Sequence, residues 1–301
     1  MMHRKRLAAV AAVALLAAPL AAGAEGGWEM GSVAVAPTAA AGSAAVFHRY
    51  MSDVAGLNGQ FRNAAGVADA VRRAAAYDAQ QLQQGMVVYA AFTALQEPTF
   101  LASIKEMETR YGREQMLMLL NRDPTGIINL PGAPQAGALA EAALKAQGQA
   151  VLASGKSVKQ ASYDLQHQAW SKTAIPNAPR RLAEAKALAR IVQPSDADAA
   201  LLIKAVSHTP AQGDGWDARV SPVVANGLAL AARMTLGETL DTPQSLALLR
   251  DERSGTCLKM AKLNFHMCLS VAGPNYEDVY CVGQHALLDT GTCVVKAAEG
   301  G

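Results

Sequence analysis

The chain has 301 residues, 51% of them apolar but only 5% aromatic, and sets 27 Lys+Arg against 25 Asp+Glu. A balance this near neutrality excludes nucleic-acid partners, which call for a clustered basic face. Alanine dominates the apolar share, and that favours close-packed helices over a sheet, since strands draw on β-branched and aromatic residues.

The first 24 residues read as a secretory signal. His3, Arg4, Lys5 and Arg6 form a positive start, and Leu7 to Leu20 an Ala-rich apolar stretch too short to span a bilayer well. Ala22-Gly23-Ala24 then supplies small residues for cleavage before Glu25. Pro19 breaks a helix that an uncleaved anchor would need to continue. No cysteine follows the apolar stretch, so a lipid anchor is not expected. Removal of residues 1–24 takes three bases and no acid, leaving 24 against 25 and a formal charge of −1 with histidines neutral. The expected location is periplasmic or secreted.

The body, 25–250, reads as all-α with eight to ten helices. A small-residue leader (Glu25–Gly42) precedes helical periodicity that begins near Ser43 and is strong from Ala64. The longest later apolar run, Gly85–Leu95, is about half of what crosses a membrane and reads as a buried helix segment. Phe100, Ile104, Met107 and Tyr111 form one helical stripe, with Pro98 placed where a first turn tolerates it. Asn121–Gln135 carries three prolines and two glycines and reads as a non-helical break. Two helices are expected next, over Ala138–Ala153 and Ser157–Lys172, followed by a turn at Ile175–Pro179. Ser195 with Asp198 is a capping box, His208–Pro222 a loop, and Thr242-Pro243 a helix start.

All four cysteines fall in the segment 251–301. In an oxidising compartment four cysteines mean two disulfides, and helix geometry selects the pairing. Cys257 and Cys268 sit eleven apart, which on a helix returns them to within about 20° of one face but roughly 16 Å apart along the axis. A bond between them is ruled out, since a disulfide needs Cα atoms within about 7 Å. Cys281 and Cys293 face the same limit. Gly273-Pro274 reads as a helix stop and Asn275 as the next N-cap with Asp278 at N3, so two antiparallel helices are predicted. Contacting residues of such a pair keep a nearly constant sum of positions. The nested pairs Cys257–Cys293 and Cys268–Cys281 satisfy that within one residue; the crossed pairs do not. The arrangement is similar in outline to the twin-cysteine helical hairpins of mitochondrial intermembrane-space proteins, with ten and eleven residues between the cysteines of each arm.

The first arm has three faces. Cys257, Ala261, Phe265, Cys268 and Ala272 should meet the second arm, and Met260, Leu263, Met267 and Val271 the body. Lys259, Lys262, His266 and Ser270 should meet water.

Chemistry-bearing motifs are thin. Leu287–Thr292 spells the Asp-Thr-Gly of aspartic proteases, but lacks a second such loop and the β-domain that the chemistry needs. It reads instead as a helix stop and turn returning Cys293. Cys281, His285, His266 and Cys268 have zinc-ligand types, yet His266 lies about 200° from Cys268 on its helix. No catalytic, cofactor-binding or metal-ligating residue is assigned, nor any cofactor. His48, His167 and the other histidines adjoin no nucleophile signature. Glu97, at a helix start, is a first-turn acid; His208 and Trp216 flank a Gly-rich loop. The expected function is a non-catalytic binding or scaffold component of the bacterial cell envelope, with an envelope protein or cell-wall component as partner. The alternative is an α-helical hydrolase of peptidoglycan, which needs only two carboxylates.

Overall fold

The computed structural model describes residues 39–207 and 220–300. The signal segment and the His208/Trp216 loop lie outside the described residues. Of the expected small-residue leader only its last residues, from Ala39, are described, and they are already helical.

Thirteen α-helices and no strand occur among the described residues. The first three are α1 (Ala39–Ala55), α2 (Ala64–Ala75) and α3 (Ala79–Ala94). Helices α2 and α3 start where Asn63 and Asp78 accept hydrogen bonds from Gly66 N and Gln81 N, the side chains standing in for the missing turn. Helix α3 is the centre of the fold: Gly85 to Ala94 are all buried, as their apolar run predicts. Around it pack α1, α6, α9 and α11.

Next come α4 (Pro98–Tyr111) and α5 (Arg113–Arg122), separated only by Gly112, whose φ of 83° needs no Cβ. Phe100 and Ile104 of the α4 stripe are fully buried, whereas Tyr111 is exposed. Ten of the thirteen fall in the body 25–250, within the eight to ten expected there.

Two expectations are corrected here. Asn121–Gln135 is not free of helix. Pro124–Asn129 form a 3₁₀ helix capped by Asp123, which accepts from Thr125 N at 3.1 Å, and α6 already starts at Ala133. Proline fits the opening of each, where no N–H is required. Helix α6 (Ala133–Leu165) is then one unbroken helix, not two. Gly155 does not interrupt it, because the glycine lies against Leu288, where an added Cβ would sit 2.9 Å from Cγ. Packing outweighs the weak local propensity of glycine.

Helices α7 (Ala178–Leu188) and α8 (Asp196–Ser207) follow. The capping box at the start of α8 is present: Ser195 N donates to Asp198 Oδ2 at 2.9 Å and Asp198 N to Ser195 Oγ at 3.3 Å. Then come α9 (Pro222–Thr235), α10 (Pro243–Leu248), α11 (Glu252–Val271), α12 (Asn275–Cys281) and α13 (Thr290–Glu299). Thr242 caps α10 as its sequence indicates.

A π-helical stretch, Val282–Asp289, joins α12 to α13 without a break. This continuous arm runs antiparallel along α6 on a row of small residues. Gly148 faces Gly291, and an added Cβ on Gly283 would come within 2.5 Å of Lys159 N. Nothing larger than glycine fits there. The arm is thereby inside the core, and the described residues form one compact unit. No helix among the described residues is long and apolar enough to cross a membrane.

Candidate functional site: the disulfide-clamped helix

Helix α11 begins at Asp251, whose carboxylate accepts from Ser254 N at 2.8 Å, and ends where Ala272 turns extended. Its two cysteines reach the opposite arm in the nested pairing. Cys257 joins Cys293 with Cα atoms 5.7 Å apart, and Cys268 joins Cys281 at 5.6 Å. The turn between the arms differs in detail from its reading as a Gly stop and an Asn cap. Asn275 is the first residue of α12, and its side chain donates to Thr173 O at 3.0 Å rather than capping. Pro274 stands at the N-cap without a side-chain cap, and Glu277 closes the turn by accepting from Gly273 N at 2.7 Å.

The rotation of α11 about its axis is the decisive feature. Its buried face is Ser254, Leu258, Ala261, Phe265 and Leu269. The stripe expected to meet the body is instead turned outward: Met260 is 48% exposed, Leu263 49%, Met267 58% and Val271 81%. Of the face expected to meet water, Lys259 and Ser270 do so, but Lys262 and His266 turn toward the protein. The disulfides explain the correction. They hold the cysteine edge of the helix against the second arm, and on a helix the Met260–Met267 row lies roughly 80° further round, away from the body. Rolling those methionines inward would pull both cysteines off their partners.

Lys262 rests with Nζ 4.1 Å from the centre of the Tyr77 ring, enclosed and without a hydrogen bond to the protein. Burial lowers its pKa to about 8, partly opposed by the charge of Asp78. The ring face supplies the attraction that an anion would otherwise give. His266 is also held below its ordinary value, by burial and then by the positive charges of Lys262 and Lys186. The Tyr77 hydroxyl lies toward Thr290 in the interior, and burial pushes its pKa up.

The π-helical stretch carries a second polar group. His285 Nδ1 lies 2.8 Å from Asp289 Oδ2, Gln284 donates to Asp289 at 3.0 Å, and Lys159 donates to Gln284 at 2.7 Å. Leu287–Thr292 belongs to this stretch and to α13, so the expected helix stop and turn are absent: Cys293 is reached along a continuous helix. Cys281 and Cys268 are bonded to each other, which removes them as zinc ligands. His266 and His285 lie on different helices; His285 is paired with Asp289, whereas His266 Nε2 is buried without a hydrogen-bond partner among the described residues.

A cleft of about 440 Å³ opens between α1 and the α2–α3 junction, lined among others by Arg49, Tyr50, Asp53, Tyr77 and Asp78. Its carboxylates already have partners. Asp53 pairs with Arg73 at 2.8 Å, and Asp78 caps α3. Arg49 is held by Asp198 at 2.7 Å. Glu97 caps α4, accepting from Thr99 N at 3.1 Å, and does not line this cleft. His48 packs with its ring parallel to that of Tyr89, at 5.9 Å.

Sequence reasoning missed three features: the Arg181–Asp278 pair described below, the Lys262–Tyr77 contact, and the π-helical stretch. Each depends on what lies across the core, and none carries a local signature.

Comparison of the chain with protein-family models, with curated proteins and with solved structures finds no match.

Proposed function

We propose that this chain is an exported helical protein that binds or scaffolds components of the bacterial cell envelope and performs no chemistry of its own. The observation that supports this reading is the exposed apolar row on α11. Four large apolar side chains on one face of a twenty-residue helix, clamped at both ends by disulfides, make a rigid surface that water does not favour. The disulfides suit an oxidising compartment, as does a leader of the signal type. The hydrolase alternative draws no support from the cleft, where Asp53 and Asp78 are each engaged by a protein group.

Site-specific photo-crosslinking in intact envelopes tests the reading. A crosslinker at Leu263 should give a discrete adduct, and one at the exposed Glu106 of α4 should not. Purified peptidoglycan incubated with the protein should release no soluble fragments. Release that disappears on substitution of a single acid would establish the hydrolase instead. Intact mass of the exported form should show the chain beginning at Glu25.

A further inference from the structure

We propose that the exposed face of α11 docks an amphipathic helix of a partner protein whose apolar seam is flanked by carboxylates. This deepens the binding reading above and rests on it. Helix α11 has two apolar faces on opposite sides. Leu258, Ala261, Phe265 and Leu269 fill the core, and Met260, Leu263, Met267 and Val271 point away from it. A helix apolar on both sides is one built to be covered on both sides.

The outer row runs Met260, Leu263, Met267, Val271, in steps of three, four and four. That is the spacing of a seam between two helices. Methionine suits such a seam because its flexible thioether adapts to an incoming surface. The face is also preorganised, since both cysteines and the grip of Arg181 on the end of the helix hold it in place. A partner therefore loses little to ordering.

Charge selects among the occupants. Arg253 and Lys259 are exposed on this face and the exposed Lys186 of α7 lies near its edge, against the exposed acid Glu252. Carboxylates beside the partner's seam complement that edge. A second copy would bring the same exposed cations, Arg253 and Lys259, to the seam from both sides, cation against cation. A lipid surface calls for a broad apolar face with Trp or Phe, and this row is narrow and has no aromatic residue.

The experiment measures binding of the full exported chain to two synthetic helical peptides. Both carry leucines at the same steps of three and four; one is flanked by Glu, the other by Lys. The Glu-flanked peptide should bind at least about tenfold more tightly, and Lys259→Glu should erase the preference. The double variant Leu263→Glu/Met267→Glu should lose about tenfold or more while keeping its helical circular dichroism and melting temperature. Leu263→Gln, a milder change, should lose part of that.

Equal affinity for both peptides, or undiminished binding by the double variant, overturns the proposal. Phosphatidylglycerol vesicles that bind wild type but not the double variant assign the row to lipid and overturn it. A sedimenting dimer that the variant dissolves assigns the row to a second copy and overturns it equally. In those last two cases the Leu263 crosslink persists and the binding reading survives. If the crosslink is absent as well, both fall.

Discussion

Arg181 places Nη1 2.7 Å from both carboxylate oxygens of Asp278, while Nη2 donates to the carbonyl oxygens of Leu269 and Ala272. One side chain from α7 thus satisfies the open carbonyl end of α11 and ties it to the start of α12. Burial pushes Asp278 up to about 7, with the charge of Arg181 pulling the other way.

Arg181→Ala leaves that carboxylate buried and unpaired, and should cost about 3–5 kcal/mol above pH 7. The sign with pH follows from a folded pKa above the ordinary 3.8. The burden of the buried charge is full above the folded value and gone below the unfolded one. Urea titrations should therefore show the loss growing as pH rises through about 7 and levelling off at its smaller value below that, where wild type and variant both hold Asp278 protonated. A loss of equal size at both ends would mean that Asp278 is not the group left stranded.

Lys262 is the reverse case, a base whose folded pKa is about 8, below its ordinary 10.5. Between those values the unfolded chain holds more protons, so raising the pH through that window stabilises the fold. The wild-type melting temperature should gain from this group between pH 8 and 10.5, and Lys262→Met should remove that part of the slope. The variant should also melt higher than wild type at pH 7, where the buried ammonium is charged. If the two pH profiles run parallel, Lys262 titrates as a solvated lysine.

Non-reducing digestion should yield peptides joining Cys257 to Cys293 and Cys268 to Cys281. Replacing Cys268 and Cys281 together by alanine should cost about 3 kcal/mol in the chain-entropy treatment of a short loop. Removing only one should cost more, since the free thiol left behind can mispair. Reduction should not melt the C-terminal arms alone. The second arm lies against α6 throughout, so the reduced protein should unfold in one lower-temperature transition.

Two glycines test the packing of that arm. Gly283→Ala brings a Cβ within 2.5 Å of the Lys159 backbone and should cost about 1–3 kcal/mol or more by forcing α6 away. Gly255→Ala, in the interior of α11, meets nothing nearer than Gln83 Cγ at 3.8 Å and should stabilise by about 0.5–1 kcal/mol. Thermal melts of the two variants should move in opposite directions.

Local rules carried far where a single segment contains its own cause. Ser195 with Asp198, Thr242 before Pro243, and the buried run from Gly85 were legible because caps and apolar runs act within a few residues. The disulfide pairing was legible too, because helical rise alone forbids the same-arm bonds and a single antiparallel register permits only the nested ones. Helix α6 was read as two because Gly155 and its neighbours weaken the local signal, while the contact with Leu288 that compensates comes from a residue far along the chain.

The faces of α11 mark the boundary between the two kinds of information. Its residues by themselves determine a helix with a cysteine edge, an outer apolar row and a polar row, since spacing sets angles about the axis. Which row meets water is decided only by tertiary structure. The cysteine edge must meet Cys281 and Cys293, Phe265 and Leu258 are buried in the core, and Tyr77 offers a ring on which Lys262 can lie. A methionine row is then left outside and a lysine enclosed, an orientation that covalent bonds impose against the preference of either side chain for its surroundings.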